Sequence, residues 1–214
     1  LTSTWKWLYE GVNRANYLVE NKGNLDFTRK AELYGEVQFL RAYYYFELVK
    51  IFGDVPLFTQ TRLTASDSNT LTRTAKADVY AQIEKDLKEA ITALPASKST
   101  NGRATSYAAH ALLGKVYLYQ DKFEDAATIL EPLVGLYTLP TNFQSIFLNS
   151  GENGPESVFE VQHSKNSNWW DWGFPQGSEG SFAIIHYGIR GYNGTVYASG
   201  WSFNVPTQDL YDAY

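Results

Sequence analysis

The 214-residue sequence contains neither cysteine nor methionine. Without cysteine the chain forms no disulfide, offers no thiolate to a metal and has no cysteine nucleophile. The chain opens on "LTSTWKWLYEG" and closes on "PTQDLYDAY", which has a helical pattern. Together with the missing methionine, these ends predict a fragment from which any targeting segment is absent.

Long hydrophobic runs and an excess of positive charge are also missing. No segment approaches the roughly 20 apolar residues that span a bilayer as a helix. The formal net charge of −5 argues against nucleic acid as a partner, because that interaction needs clustered Lys and Arg. With 44% hydrophobic residues, the chain is long enough to bury a core of its own.

Aromatic residues are abundant, at 16% of the chain. Four of them are consecutive, Tyr43 to Phe46, inside "QFLRAYYYFELVKIFGDVPL". The apolar residues around them recur at three- and four-residue steps, which is typical of a helix buried between other helices. We therefore interpret these rings as core and not as a ligand platform. Arg41 lies in the same helix, and we expect it to contact a carboxylate or a carbonyl between helices.

The sequence up to about Val134 predicts five helices with short breaks. The first ends at about residue 21, and the others cover about 28–52, 77–94, 106–119 and 123–134, with Thr28 as the N-cap of the second. Gly53 and Pro56 are expected to end the second helix. Within the last two helices, "ALLGKVYLYQDKFEDAA" matches the tetratricopeptide pattern, in which glycine, here Gly114, permits close helix approach.

The character of the sequence changes after Pro140. We predict a tetratricopeptide-like helical scaffold over 1–140 and a loop-rich, aromatic-rich part of the same domain over 141–214. Two runs in the second part, "SVFEVQHS" (157–164) and "SFAIIHYG" (181–188), have the composition of short strands.

Several segments resemble the SusD/RagB family of nutrient-binding outer-membrane lipoproteins. The segment 38–57 is similar to the hallmark of that family, and "WKWLYEGVNRANYLVE" is similar to its early helix. "VYAQIEKDLKEAITALP" and "GRATSYAAHALLGKVYLYQDKFEDAATILEPLV" resemble its next helical blocks, and "PTQDLYDAY" resembles the start of a later one. The similar segments occur in the family's order and span nearly the whole chain.

The resemblance implies a mainly α protein with tetratricopeptide-like hairpins and no enzymatic activity or cofactor. It implies a protein on the surface of a Gram-negative bacterium that binds glycans, sometimes peptides, and covers a SusC-like TonB-dependent transporter. Membrane contact would depend on a lipid on an N-terminal cysteine. This chain lacks that cysteine and, by the same comparison, much of the C-terminal part.

The segment "NSNWWDWGFPQG" carries the predicted ligand site. Sugar rings stack their C–H faces on aromatic rings, and their hydroxyls need donors and acceptors such as Asn, Asp and Gln. The predicted glycan-binding residues are Trp169, Trp170, Asp171 and Trp172, with Tyr192 and Trp201 as further candidates. The alternative is that these tryptophans pack the loops against the helices.

The sequence offers little support for catalysis. His110, His163 and His186 have no short-range metal-binding spacing, and "QGSEG" lacks the first glycine of a nucleophile elbow. A glycosidase needs two carboxylates, and Asp171 is the one that lies among aromatic rings. Two functions besides glycan capture stay open: a tetratricopeptide-type module that binds a peptide, and an all-helical carbohydrate-active enzyme.

Overall fold

A computed structural model describes residues 1–24, 26–97, 100–163, 186, 188–195, 200–203 and 206–213. The chain divides into two compact units, Leu1–Glu160 and Val161–Tyr214. The division at residue 140 into scaffold and ligand-binding part stays a prediction.

The first unit is built from five helices. They are α1 (Thr2–Glu20), α2 (Lys30–Phe52), α3 (Lys76–Ala93), α4 (Ser106–Leu118) and α5 (Phe123–Leu130). The second unit contributes α6 (Gln208–Asp212). The predicted mainly α fold is confirmed. Among the described residues, no helix combines the length and the apolar character needed to cross a membrane.

Most helix ends lie within a residue or two of their predicted positions. Gly53 caps α2 with a φ of 70°, a value that glycine adopts at little cost. The predicted N-cap of α2 was wrong, because α2 begins at Lys30 and its cap residue is Arg29, whose side chain makes no capping bond. Helix α5 ends earlier than predicted, at Leu130, since Pro132 lacks an N–H and the chain continues as a 3₁₀ turn over Glu131–Leu133.

Consecutive helices pack against each other: α1 on α2, α2 on α3, α3 on α4 and α4 on α5. The α4–α5 pair is the hairpin that the tetratricopeptide pattern predicted. A Cβ added to Gly114 would lie 2.6 Å from the side chain of Leu130, so the absence of a side chain lets the two helices approach. This stack buries one apolar core that includes Val12, Phe46, Ile83 and Leu113.

The four consecutive aromatics divide between core and surface. Tyr45 and Phe46 are buried at 0% and 1% exposure, whereas Tyr43 is 38% exposed. The interpretation of this segment as scaffold is therefore confirmed for Tyr45 and Phe46. Leu40 and Ile51, which are among the apolar residues that recur at three- and four-residue steps in this helix, are exposed. Tyr44, on the same side of α2, lies against Gly11 of α1, so this side is only partly covered.

Arg41 is buried and connects three helices. Its Nε and Nη2 donate to the carboxylate of Asp86 in α3 at 2.8 and 2.7 Å. Its Nη1 donates to Oδ1 of Asn16 in α1 at 2.9 Å and to the carbonyl oxygen of Thr59 at 2.6 Å. Both partners left open by the sequence, a carboxylate and a carbonyl, are present together. Burial raises the pKa of the Asp86 carboxyl, and the hydrogen bonds from Arg41 act in the opposite direction.

The predicted strand over 157–164 was wrong, because the described residues 157–163 are irregular. A strand exists only when a second strand pairs with it, and residue composition alone supplies no partner. Of the second predicted strand, residues 181–185 and 187 lie outside the described part of the chain. In the described ranges, isolated bridges join Val55 to Thr74 and Arg190 to Gly200.

Glu36 of α2 is a buried carboxylate that the sequence did not single out. Nε of Arg103 lies 2.9 Å from its Oε1 and forms an ion pair with it, and within the described residues this buried oxygen has no other donor. Burial raises the pKa of Glu36, and the nearby Arg103 lowers it by less. The folded state therefore holds this proton to a higher pH than the unfolded state does.

Replacement of Glu36 by glutamine should remove this pH dependence. Above the ordinary glutamate pKa of about 4.3, the folded parent binds more protons than the unfolded chain, so its unfolding free energy falls as pH rises. The variant has no proton to lose at this position. Urea unfolding of both proteins from pH 4 to pH 7 should show the parent losing stability relative to Glu36→Gln. A constant difference across this range would contradict the raised pKa.

Candidate functional site

The centre of the predicted glycan site, Trp169, Trp170, Asp171 and Trp172, lies outside the described residues, and its role stays a prediction. The two further candidates, Tyr192 and Trp201, are described and belong to the second unit. The surroundings of these two residues are built from segments near 188–194 and 200–203.

Trp201 is part of a cluster of three rings. The centroid of its indole lies 5.6 Å from that of His186 and 5.6 Å from that of Phe203. The rings of His186 and Phe203 are 5.9 Å apart, which closes the triangle. Trp201 and His186 are half-buried, and Phe203 is exposed. The cluster thus offers partly open aromatic surface with polar edges on the indole and the imidazole.

Arg190 fixes the backbone that carries Trp201. Its Nε and Nη2 donate to the carbonyl oxygen of Trp201 at 3.1 and 2.7 Å. The backbone N–H of Arg190 donates to Oγ of Ser202 at 2.7 Å, and the N–H of Phe203 donates to the carbonyl of His186 at 2.7 Å. These bonds hold the two segments of the cluster side by side.

Two glycines allow the segments to approach. The N–H of Gly200 donates to the carbonyl of Ile189 at 3.0 Å, and a Cβ on Gly200 would lie 2.4 Å from Cα of Gly188. That contact is backbone against backbone, so no side-chain movement could relieve it. A residue other than glycine at position 200 would displace the segment that carries Trp201.

Tyr192 lies in the turn that follows Arg190. Its N–H donates to the carbonyl of Ile189 at 3.2 Å. Its ring folds over Gly194, where an added Cβ would lie 2.2 Å from the tyrosine hydroxyl. Tyr192 is half-buried, so part of its surface faces solvent.

The chemistry of this site suits binding of a neutral, hydroxyl-rich ligand. Partly exposed rings can contact C–H faces, and imidazole is a side chain that can donate and accept hydrogen bonds. Across the described part of the chain, no group of three or more His, Asp or Glu residues is placed to hold a metal ion. From the sequence we considered His186 only as a possible metal ligand, and we did not predict its contact with Trp201. Residues this far apart in the sequence share no periodic pattern that would indicate a contact.

Outside this site, the two N-terminal tryptophans differ from each other. The ring of Trp5 packs against α1 and α2, with centroids 4.8 Å from Tyr9 and 4.9 Å from Phe52. Trp7 is exposed over about half of its surface.

The stacked helices of the first unit define a tetratricopeptide-like helical protein, and the second unit carries the ring cluster. The family model described as "Starch-binding associating with outer membrane" matches residues 1–118. The chain belongs to the SusD-like family, as its hallmark segments indicated.

The similarity to individual proteins covers nearly the whole chain and not only residues 1–118. A "SusD-like protein P2" of Formosa agariphila is 27% identical over 99% of this chain and 42% of its own length. Among solved structures, a "Laminarin binding SusD-like protein" is 37% identical, with a TM-score of 0.88 over 98% of this chain and 49% of that protein. Surface glycan-binding protein A from Bacteroides thetaiotaomicron, solved in complex with laminarihexaose, is 27% identical, with a TM-score of 0.83 over 99% of this chain and 46% of that protein. The chain thus spans about half the length of these relatives.

Proposed function

We propose that this chain is part of a cell-surface glycan-binding protein that captures oligosaccharides by aromatic stacking and hydrogen bonding. The function involves no chemical step. The captured ligand would pass to a SusC-like TonB-dependent transporter in the outer membrane, to which a lipid anchor holds the whole protein. The ring cluster of His186, Trp201 and Phe203 is the observation that carries the binding part of this proposal.

Three findings support the proposal. The cluster combines aromatic faces with polar edges, which is the composition that a sugar ring requires. Two relatives of the same fold are a laminarin-binding protein and a glycan-binding protein solved with laminarihexaose. The description of the matching family model refers to starch binding and to association with the outer membrane. Delivery to a transporter and the lipid anchor come from the family resemblance alone.

Calorimetric titration with laminarihexaose and maltohexaose tests the capture step. We expect saturable binding of at least one of these hexasaccharides by the parent chain. Two variants separate the predicted residues: a triple Trp169→Ala, Trp170→Ala, Trp172→Ala variant, and a single Trp201→Ala variant. Loss of one stacking residue should weaken binding by about twofold to tenfold, since an aromatic contact contributes roughly 0.5–1.5 kcal/mol beyond the area it buries.

Trp5→Phe is a suitable control for the loss of a tryptophan, because Trp5 packs among the helices of the first unit. This variant should bind the sugar as the parent does. Absence of binding by the folded parent to either sugar would contradict capture of neutral glucans. Equal binding by the parent, the triple variant and Trp201→Ala would remove these residues from the site.

A further inference from the structure

A groove runs along α1 in the first unit, separate from the residues discussed above. One wall is a stripe of α1 residues spaced by three and four positions, Glu10, Asn13, Arg14 and Tyr17, and Arg62 forms the opposite side. The groove has a volume of about 530 Å³. This lies within the range of roughly 300–1,000 Å³ that is typical of small-molecule sites.

The wall that carries Arg62 is held rigidly by side chains of α1 and α2. Asn13 bonds the backbone of Leu63 in both directions, accepting from its N–H at 2.8 Å and donating to its carbonyl at 3.3 Å. Four more side chains donate to backbone carbonyls just before this segment. Tyr9 donates to Pro56 at 2.7 Å, and Arg41 donates to Thr59 at 2.6 Å. Asn16 and Tyr45 both donate to Phe58, at 2.9 and 2.7 Å. Because this segment is already ordered, a ligand that binds against it does not have to order a loop.

The guanidinium of Arg62 stacks on the ring of Tyr17. Its Cζ lies 4.4 Å from the ring centroid, and Tyr17 is 47% exposed. Nε of Arg62 donates to Glu20 at 3.0 Å, which orients the guanidinium. Within the described residues, the Nη1 and Nη2 groups of Arg62 have no hydrogen-bond partner. The stacked pair therefore combines aromatic surface with unused N–H donors.

Arg14 adds a second guanidinium on the same stripe of α1. It is exposed, and it makes no hydrogen bond or ion pair with any residue that the structure describes. The two arginines are balanced by two carboxylates, Glu10 in the groove and Glu20 beside Arg62. A groove with balanced charges favours a neutral ligand over a polyanion.

We infer that this groove binds hexose units of a neutral oligosaccharide. The part of the Tyr17 ring that Arg62 leaves uncovered and the outer face of the guanidinium contact C–H groups of the sugar, and Arg14 and Arg62 donate to its hydroxyls. This inference rests on the proposed function and adds to it a binding surface on the first unit.

The test compares Tyr17→Ala, Arg14→Ala and the double variant with the parent in titrations with laminarihexaose and maltohexaose. Neither side chain is buried, so both variants should keep the circular dichroism and melting temperature of the parent. We expect each single variant to bind about fivefold to tenfold more weakly, and the double variant at least about thirtyfold more weakly, as expected for the loss of an aromatic contact and of a charged donor.

Trp7→Ala is the matched control. Trp7 lies on the same helix, its exposure of 51% is close to that of Tyr17, and it is about 15 Å away along the helix axis. This variant should bind as the parent does. Parent-like affinity of the double variant would overturn the inference and leave the proposed function intact. Failure of the parent to bind either sugar would overturn both.

Discussion

Replacement of Asp86 by alanine should lower the unfolding free energy by about 3–5 kcal/mol, the usual cost of removing one partner of a buried ion pair. The side chains of Arg41 and Asp86 are only 6% and 1% exposed. Without Asp86, the guanidinium of Arg41 would keep its bonds to Asn16 and Thr59 but lose both bonds to the carboxylate. The cost arises from a buried charge without its counter-charge, and water cannot easily replace the lost partner.

Glu32→Ala is the control for this prediction. Glu32 pairs with Arg29 at the exposed start of α2, where solvent screens the interaction. Urea unfolding followed by circular dichroism should show a large loss for Asp86→Ala and almost none for Glu32→Ala. A double variant, Arg41→Met with Asp86→Leu, should recover part of the loss because it leaves no charge unpaired. Equal stability of the parent and Asp86→Ala would mean that Arg41 finds another partner.

The Arg41 network also shows what the sequence could predict and what it could not. The helices of the scaffold were predictable, since α1, α3 and α4 follow periodic apolar stripes that the structure buries. The same patterns indicated that Arg41 needed a partner. They could not identify Asp86, because that contact joins positions on two helices whose relative placement is a property of the tertiary packing.

Single-residue signals did not decide where a helix starts or which of its residues are buried. Thr28 has the chemistry of an N-cap, but α2 begins two residues later, where Arg29 forms an ion pair with Glu32 in the first turn. Leu40 and Ile51 follow the apolar period of α2 but are exposed, whereas Tyr44 on the same side lies against Gly11 of α1. A periodic pattern indicates which residues share a face, but the neighbours decide which face is buried.

The binding surfaces were the hardest part to predict. The high aromatic content indicated Trp201, yet its neighbours His186 and Phe203 are brought to it by the backbone bonds of Arg190 and Ser202. The groove beside α1 could not be predicted from the sequence, because Tyr17 cannot be distinguished there from any other aromatic residue of an amphipathic helix. Its contact with Arg62 depends on the segment that follows α2.

The aromatic residues of α2 allow a second stability prediction, which tests whether they are scaffold. Phe46 is buried, and its ring centroid lies 6.4 Å from that of Tyr80 and 5.1 Å from that of Tyr119. Nζ of Lys50 lies 4.7 Å from the centroid of the Phe46 ring. Phe46→Ala would leave a cavity between α2, α3 and the end of α4. Because the surrounding helices are tied together elsewhere, the cavity cannot close completely, and the loss should be about 3–5 kcal/mol.

Tyr43→Ala is the matched comparison, since Tyr43 lies three residues earlier on the same helix and is 38% exposed. Because part of this ring already faces water and its removal leaves no enclosed cavity, the variant should lose about 1–2 kcal/mol, less than Phe46→Ala. Thermal and urea unfolding of the two variants should differ clearly, while sugar binding by both should match that of the parent. A sugar-binding defect in the folded Tyr43→Ala variant would contradict the scaffold interpretation, since it would give this exposed ring a role in recognition.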